Sequence, residues 1–366
     1  MLWRTDGTMK GGGGAGRVTE ERYVVARAPG RVNLIGDHTD YNQGLALPMA
    51  IDLGIEVELA SGDGDRLVLT TTFDPEPAAL ALDLAFDPEV LAAISPPWAQ
   101  LAGAVLALSR PPWAGTARIS STLPPGAGLS SSAACCVALA LAFGVTAPPP
   151  VMAQLCQRAE AAAGADVGVM DPLVIMAARA GHALSIDFSS MSTEPVPVSP
   201  ALDVVVVHSG EVRRLGSSAY AARRAECDAV AVAIGMPLGL AGDDDVRGLS
   251  DPLLRARARH VVSECRRVRQ MAPALAAGDG VTAGRLMVES HRSLAGDFAA
   301  STPVVDALVA EVMSLPGVHG ARMTGGGFGG CVVALCEPGA LDPSRWPGRA
   351  WRVHPCDGAS VRASPA

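Results

Sequence analysis

Leu123-Pro-Pro-Gly-Ala-Gly-Leu-Ser-Ser-Ser-Ala-Ala134 is a glycine-rich turn with three consecutive hydroxyls that runs straight into the apolar segment 135–143. The pattern predicts a loop followed by a helix. Ser130, Ser131 or Ser132 would cap that helix, because a hydroxyl accepts from the free amides of the first turn. Small residues let the backbone close on a ligand, and free amides with the helix dipole favour an anion. The stretch reads as a phosphate cradle, although an ordinary capped helix after a loop would carry the same residues.

The whole chain narrows the kind of cradle this can be. At 366 residues, with 49% apolar and 18% charged residues, it can form two packed lobes around a substantial core. A net charge of -8 argues against a nucleic-acid partner or an anionic membrane surface. Residues 1–20 are expected to be a flexible tail, since Met1 to Gly16 has no apolar signal core and carries the run Gly11 to Gly14. The longest apolar run, 133–145, is too short to span a bilayer, so a cytoplasmic location is expected. The eight cysteines include no Cys-x-x-Cys and are expected to be buried free thiols. The only lysine is Lys10, inside the tail. A Walker P-loop and a protein-kinase site both place a lysine on the phosphates, so neither is available. Backbone amides, arginine or a metal ion must hold any phosphate bound here.

Upstream, strands are expected at 23–27 and 45–59, joined by the connection 28–44. Asp37, His38, Asp40, Tyr41 and Asn42 give that connection five polar side chains within six residues. A sugar site needs such an inventory, because each ring hydroxyl wants a donor and an acceptor fixed in direction. A decorated hairpin turn would also use Asp, Asn and Gly. Further strands are expected at 67–72 and 117–121, with a helix at 98–108 before the cradle and another at 151–163 after it. Asp171-Pro172 reads as a helix start, aspartate at N-cap and proline at N1. Strands at 182–188 and 202–207 flank the polar, proline-broken stretch 189–200, which marks a boundary between lobes. Helical spacing then covers 217–234, 252–276, 282–297 and 304–315. Arg255, Arg257, Arg259, Arg266 and Arg267 read as a solvated helix face. A bare stretch, 320–330, suits close approach to a ligand or another loop before the strand 331–335.

Three of these stretches together resemble the GHMP small-molecule kinases, and among them the galactokinases. Gly30-Arg-Val-Asn-Leu-Ile-Gly-Asp-His-Thr-Asp-Tyr-Asn42 is similar to the galactokinase signature. Pro125-Gly-Ala-Gly-Leu-Ser-Ser-Ser-Ala133 is similar to the shared ATP-phosphate motif, and Met323-Thr-Gly-Gly-Gly-Phe-Gly-Gly330 to the third motif. Gly168-Val-Met-Asp171, Ser218-Ala-Tyr-Ala-Ala-Arg-Arg224 and Glu289-Ser-His291 extend the likeness, which covers residues 25–336.

The resemblance implies an α+β, two-lobed GHMP kinase fold. A mixed β-sheet N-terminal lobe (21–187) and a helix-rich α/β C-terminal lobe (188–366) would hold the active site between them. It implies transfer of the ATP γ-phosphoryl group to the C1 hydroxyl of galactose, by a monomer or homodimer with no nucleic-acid or membrane partner. Asp171 would take the anomeric proton, with Arg31 beside it as the second catalytic residue. Asp37, His38, Asp40, Gly168 and Tyr220 would bind the sugar. Pro125, Gly126, Ala127, Gly128, Leu129, Ser130, Ser131 and Ser132 would bind ATP. Trp98 would line the adenine pocket, or else be an amphipathic core tryptophan. Mg²⁺ would be shared by Ser131 or Ser132, Glu160 and the phosphates. The chain departs from the family pattern at Asp37, where glutamate is usual, and at Asp166, Pro172 and Leu101, where asparagine, glutamine and tyrosine are common. The shorter Asp37 raises the alternative of another acceptor, such as N-acetylgalactosamine, arabinose or another hexose. A catalytically silent sugar and ATP sensor is a further alternative, weakened by the complete run Ser130 to Ala134.

Overall fold

The computed structural model describes residues 22–111, 113–165, 167–211 and 218–364. The tail with Lys10, and Asp166, lie outside the described residues. The class is α+β, as expected. The strands are β1 (Tyr23–Ile35), β2 (Leu45–Ser61), β3 (Arg66–Thr71), β4 (Ala78–Ala81), β5 (Gly115–Ser121), β6 (His182–Asp187), β7 (Ser192–Pro197), β8 (Asp203–His208), β9 (Val318–Met323), β10 (Cys331–Cys336), β11 (Ala350–Val353) and β12 (Ser360–Ser364). The helices are α1 (Pro88–Ala92), α2 (Ala99–Ser109), α3 (Ser131–Ala142), α4 (Pro149–Ala162), α5 (Met170–Ala177), α6 (Ser218–Ile234), α7 (Asp243–Gly248), α8 (Pro252–Ala276), α9 (Gly280–Gly296) and α10 (Pro303–Met313).

Two sheets organise these elements. The larger runs β12-β1-β2-β5-β3-β4, with β6 and β7 added along the first half of β2. The smaller is antiparallel, in the order β11-β8-β10-β9. The β6–β7 hairpin spans residue 187, and β12 returns from the end of the chain to the N-terminal sheet. Helix α3 lies on β1 and β2, with α2, α4 and α5 around it, while α9 and α10 cover the smaller sheet. Apolar side chains from α2, α3 and the larger sheet form one core. Those of β8, β10, α8 and α10 form a second.

Two differences from the expected elements bear on function. The first strand does not stop at Arg27 but continues to Ile35, so half of the supposed connection is sheet. Its register with β2 shifts between Pro29 and Gly30, which breaks the alternation that would have betrayed the strand. Beyond the shift every residue is buried, because helices or loops cover both faces there. The stretch 189–200 contains a strand that the sequence did not suggest, since Ser192–Pro197 pairs with β6 along an edge, where proline is tolerated.

Candidate active site

Arg31 sits on β1 where the strand enters the interior, and it is only 3% exposed. Its Nε donates to Asp171 Oδ1 at 2.8 Å and its Nη2 to Asp171 Oδ2 at 2.7 Å. Such a two-point pair fixes both groups in one plane. The third arm, Nη1, donates to the Gly128 carbonyl at 2.8 Å, and the Arg31 amide donates to the Leu129 carbonyl at 3.2 Å. One guanidinium thus joins the glycine-rich turn to a carboxylate 140 residues away. Gly30 permits this close crossing, since a Cβ there would stand 2.7 Å from the Leu129 carbonyl oxygen.

Asp171 is not an N-cap as the sequence suggested. Val169 caps α5 without a side-chain bond, and Asp171 occupies the second helical position with Pro172 third. The carboxylate is drawn away by Arg31 and by Ser130, whose hydroxyl donates to Oδ2 at 2.5 Å. Ser130 is likewise not a side-chain cap: it takes a left-handed φ of 65°, and its hydroxyl points to Asp171 instead of the first-turn amides. A carboxylate oxygen accepts two hydrogen bonds, so Oδ1, with one donor, keeps a lone pair. The Asp171 side chain is 27% exposed and faces a cavity of about 160 Å³, smaller than a drug-sized pocket and suited to a compact polar ligand.

That cavity is lined by Arg31, Asp37, His38, Asp40, Gly168, Asp171 and Tyr220 on one side. Gly126, Gly128 and Ser130 to Ser132 line the other, with Gly325 and Gly326 of the third motif between. Ala127 and Leu129 alternate into the core, so their approach to a ligand is through main chain. Pro125 does not line the cavity among the described residues.

The signature turn is held from behind. Asp37 Oδ1 accepts from Asn33 Nδ2 at 2.9 Å and from the Gly325 amide at 3.1 Å, while Oδ2 pairs with Arg322 Nη2. His38 Nδ1 meets the Tyr41 hydroxyl at 2.9 Å, and its ring lies 4.5 Å from that of Phe298 and 5.6 Å from that of Tyr220. Burial, with the Asp171 charge adding to it, pushes the Asp40 carboxyl up to about 6. A Cβ at position 168 would displace the Asp40 carboxylate, so glycine there leaves that side chain its place against the backbone.

Glu160 on α4 is 2% exposed, and burial pushes its carboxyl up to about 7 against a hydrogen bond from Ser132. A buried carboxyl beside a hydroxyl is a hard oxygen donor set that a divalent cation would hold ionised, so these residues fit Mg²⁺. Among the described residues no three His, Cys, Asp or Glu side chains converge as a cage, so phosphate oxygens would complete the shell. Trp98 stands apart from the cavity lining. It precedes α2, donates from Nε1 to the Glu76 carbonyl at 3.1 Å, and meets Phe73 edge-on at 6.1 Å.

Reading the sequence missed Asn33, Arg322 and Phe298. Asn33 lies inside the first motif and Arg322 immediately before the third, and their role emerges only when those two stretches are seen to touch. The arginine row on α8 also needs correction. Arg257 and Arg267 are buried, paired with Glu226 at 2.5 Å and Glu264 at 2.6 Å, because α8 is covered by α6, α9 and the N-terminal sheet. All eight cysteines are free, and burial holds the Cys135 and Cys227 thiols up at about 12, far from nucleophilic.

Comparison with known proteins accords with this geometry. Family models match in chain order: the galactokinase galactose-binding signature at residues 16–60, the GHMP kinase N-terminal domain at 100–179 and the GHMP kinase C-terminal domain at 271–342. Galactokinase of Bos taurus is 44% identical over 335 residues, covering 87% of this chain and 85% of the relative. This chain belongs to the galactokinase family. Galactokinase of Roseiflexus sp. is 42% identical over 342 residues, covering 88% of this chain and 86% of that one. The galactokinase of Lactococcus lactis, solved with galactose, superposes with a TM-score of 0.81 at 26% identity over 94% of this chain and 96% of that one. Methanococcus jannaschii mevalonate kinase shares the fold, with a TM-score of 0.63 at 17% identity over 91% and 98% of the two chains. Among the described residues no helix is long and apolar enough to cross a membrane.

Proposed function

We propose that this galactokinase-family chain transfers the γ-phosphoryl group of ATP to the C1 hydroxyl of galactose, releasing galactose 1-phosphate and ADP. The observation that carries the reading is the Arg31 guanidinium, bonded at once to Asp171 and to the glycine-rich turn in one shared cavity. Phosphoryl transfer asks the protein mainly to position the partners and to stabilise spread negative charge.

In this reading Asp171 Oδ1 takes the C1 proton as the new O–P bond forms and the bond from Pγ to the ADP oxygen breaks. Arg31 holds that carboxylate in place and carries positive charge to the site of transfer. Asp40 and His38 fix the sugar hydroxyls, and the Gly168 backbone and Tyr220 close around them. Asp37 keeps one lone pair on Oδ2 for the sugar after its three protein partners are counted. Gly126, Gly128 and Ser130 to Ser132 receive the phosphates, with Pro125, Ala127 and Leu129 shaping the turn. Ser131 or Ser132 and Glu160 would hold Mg²⁺. When bound, the cation neutralises the polyphosphate charge. Trp98 and the exposed Phe73 beside it form the aromatic pair that would receive the adenine.

Incubation with ATP, Mg²⁺ and a panel of free sugars, with phosphorus NMR of the products, tests the reading. Galactose 1-phosphate is the expected product, and no phosphorylated sugar from any acceptor would end the claim. The engagement of Asp37 with Arg322 favours including N-acetylgalactosamine and arabinose in the panel. A site that holds a hydroxyl rejects an analogue lacking it far more strongly than it rejects an added methylene. Binding of galactose and ATP without turnover would mark a sensor instead.

A further inference from the structure

The turn that carries the sugar-facing side chains is an awkward piece of backbone. Gly36 and His38 both adopt left-handed conformations, with φ of 99° and 64°. A non-glycine residue in that region costs on its own and persists only when its surroundings impose it. Local bonds supply part of the restraint: Thr39 Oγ1 donates to the Gly36 carbonyl at 2.9 Å and Asn42 Nδ2 to the His38 carbonyl at 2.7 Å.

The remainder comes from the far lobe. Helix α8 presents His260 and Glu264, four residues apart and therefore on one face, both fully buried. Glu264 Oε1 accepts from the Gly36 amide at 2.9 Å. His260 Nε2 donates to the Asp37 carbonyl at 3.2 Å, and its Nδ1 accepts from the Ser293 hydroxyl at 2.9 Å. Backbone groups of two successive residues in the turn are thus gripped by one helix. The grip is itself braced. Glu264 also accepts from Ser290 Oγ at 2.5 Å and Arg267 Nε at 2.7 Å, and Oε1 lies 3.9 Å from the Arg322 guanidinium that holds the Asp37 carboxylate. Burying so many charges is a poor route to stability, since apolar residues of similar volume often serve as well or better. Their arrangement around Gly36 and Asp37 points to placement of the turn instead.

We propose that His260 and Glu264 form a two-point backbone clamp that sets the aim of Asp37, His38 and Asp40, making them positioning residues for the acceptor sugar. The inference rests on the galactose 1-kinase reading and goes beyond it by assigning sugar affinity to residues that line no part of the cavity. Burial holds the imidazole pKa down at about 4, so the ring is neutral near pH 7. With Nε2 donating to the Asp37 carbonyl, Nδ1 is left as the acceptor, and the Ser293 hydroxyl turns to it at 2.9 Å in preference to Asp297 Oδ2 at 3.3 Å.

The test separates positioning from general support by comparing the two substrates. His260→Leu removes the donor to Asp37 and should raise the KM for galactose about tenfold, the effect of one buried hydrogen bond lost, with the KM for ATP within about twofold. His260→Gln keeps an amide donor and should recover most of that loss. Glu264→Gln, which keeps an acceptor but drops the charge that orders the guanidiniums, should raise the galactose KM in the same selective way. If His260→Leu fails to fold, Ser293→Ala provides a milder probe, with a rise of about two- to threefold expected for weakened orientation of the ring. A folded variant whose galactose KM stays unchanged, both KM values rising together, or His260→Gln behaving like His260→Leu would each overturn the clamp. A wild-type enzyme that phosphorylates no sugar would instead sink the reading beneath it.

Discussion

The two walls of the cavity are built on opposite principles. Residues 126–132 offer main chain and three short serine hydroxyls, shaped by left-handed φ values at Gly126, Gly128 and Ser130. Across from them, residues 36–42 offer side chains, each with partners of its own. In the proposed reading the first wall meets polyphosphate, which is the same in every nucleotide, so a fixed array of amides and hydroxyls at a helix mouth suits it. A sugar is distinguished by the direction of its hydroxyls, and directed acceptors must be held by a second layer of groups. Arg31 belongs to both walls and couples them.

Substitutions on each wall should therefore separate the two substrates. The largest effect is expected where the walls meet. Asp171→Asn should lower kcat by roughly 10²- to 10⁴-fold while leaving galactose affinity nearly intact, read by steady-state kinetics and calorimetry. Near-normal kcat would break the coupling claim. Glu160→Gln should raise the Mg²⁺ concentration needed for half-maximal rate by roughly 10- to 100-fold, without altering the galactose KM. The sugar wall should respond to acid. With Asp40 titrating at about 6, kcat/KM for galactose should fall about tenfold per unit as pH drops below that value, and Asp40→Asn should erase this limb. Gly128→Ala, at φ of 74°, should raise the KM for ATP about fivefold through backbone strain and leave galactose untouched.

The smallest effect concerns stability. The Asp40 and Glu160 carboxyls, at about 6 and about 7 in the fold, bind protons more tightly than in the unfolded chain. Their protonation stabilises the fold fully below the unfolded values, and that contribution is lost as pH rises through 6 to 7. Glu264, at about 2 in the fold, acts in the opposite sense: its contribution is complete above its unfolded value and vanishes only in strong acid. Without ligands, Tm should therefore rise by about 2–4 °C between pH 7.5 and 5.5. A melting curve that is flat or opposite in slope over that window would show that neither carboxyl is buried as described.

Much of the site could be read from the chain because its main parts are contiguous motifs with chemical meaning. Residues 30–42, 125–133 and 323–330 announced themselves by composition, α3 by the apolar run after the serines, and α6, α8, α9 and α10 by spacing. What escaped were contacts between motifs. Nothing local to Asp37 says that Arg322 will take its carboxylate, and nothing local to α8 says that His260 will reach the Asp37 carbonyl. Asp171 was misread for the same reason. Asp-Pro is a good helix start by local rules, yet a bidentate arginine from a strand 140 residues earlier outweighs the cap. The end of β1 was hidden by an irregular register, which removes the alternation that sequence reading relies on.

The return of β12 to β1 gives the molecule a temporal constraint. The outer edge of β1 is paired with residues 360–364, which are made more than three hundred residues after Tyr23. During synthesis, the strand that leads to Arg31 would leave the ribosome with its flank open, and an open flank is a template for unwanted pairing. A polypeptide cut short just before Ser360 would keep both nucleotide and sugar motifs and still lack the seam that closes the sheet beneath them.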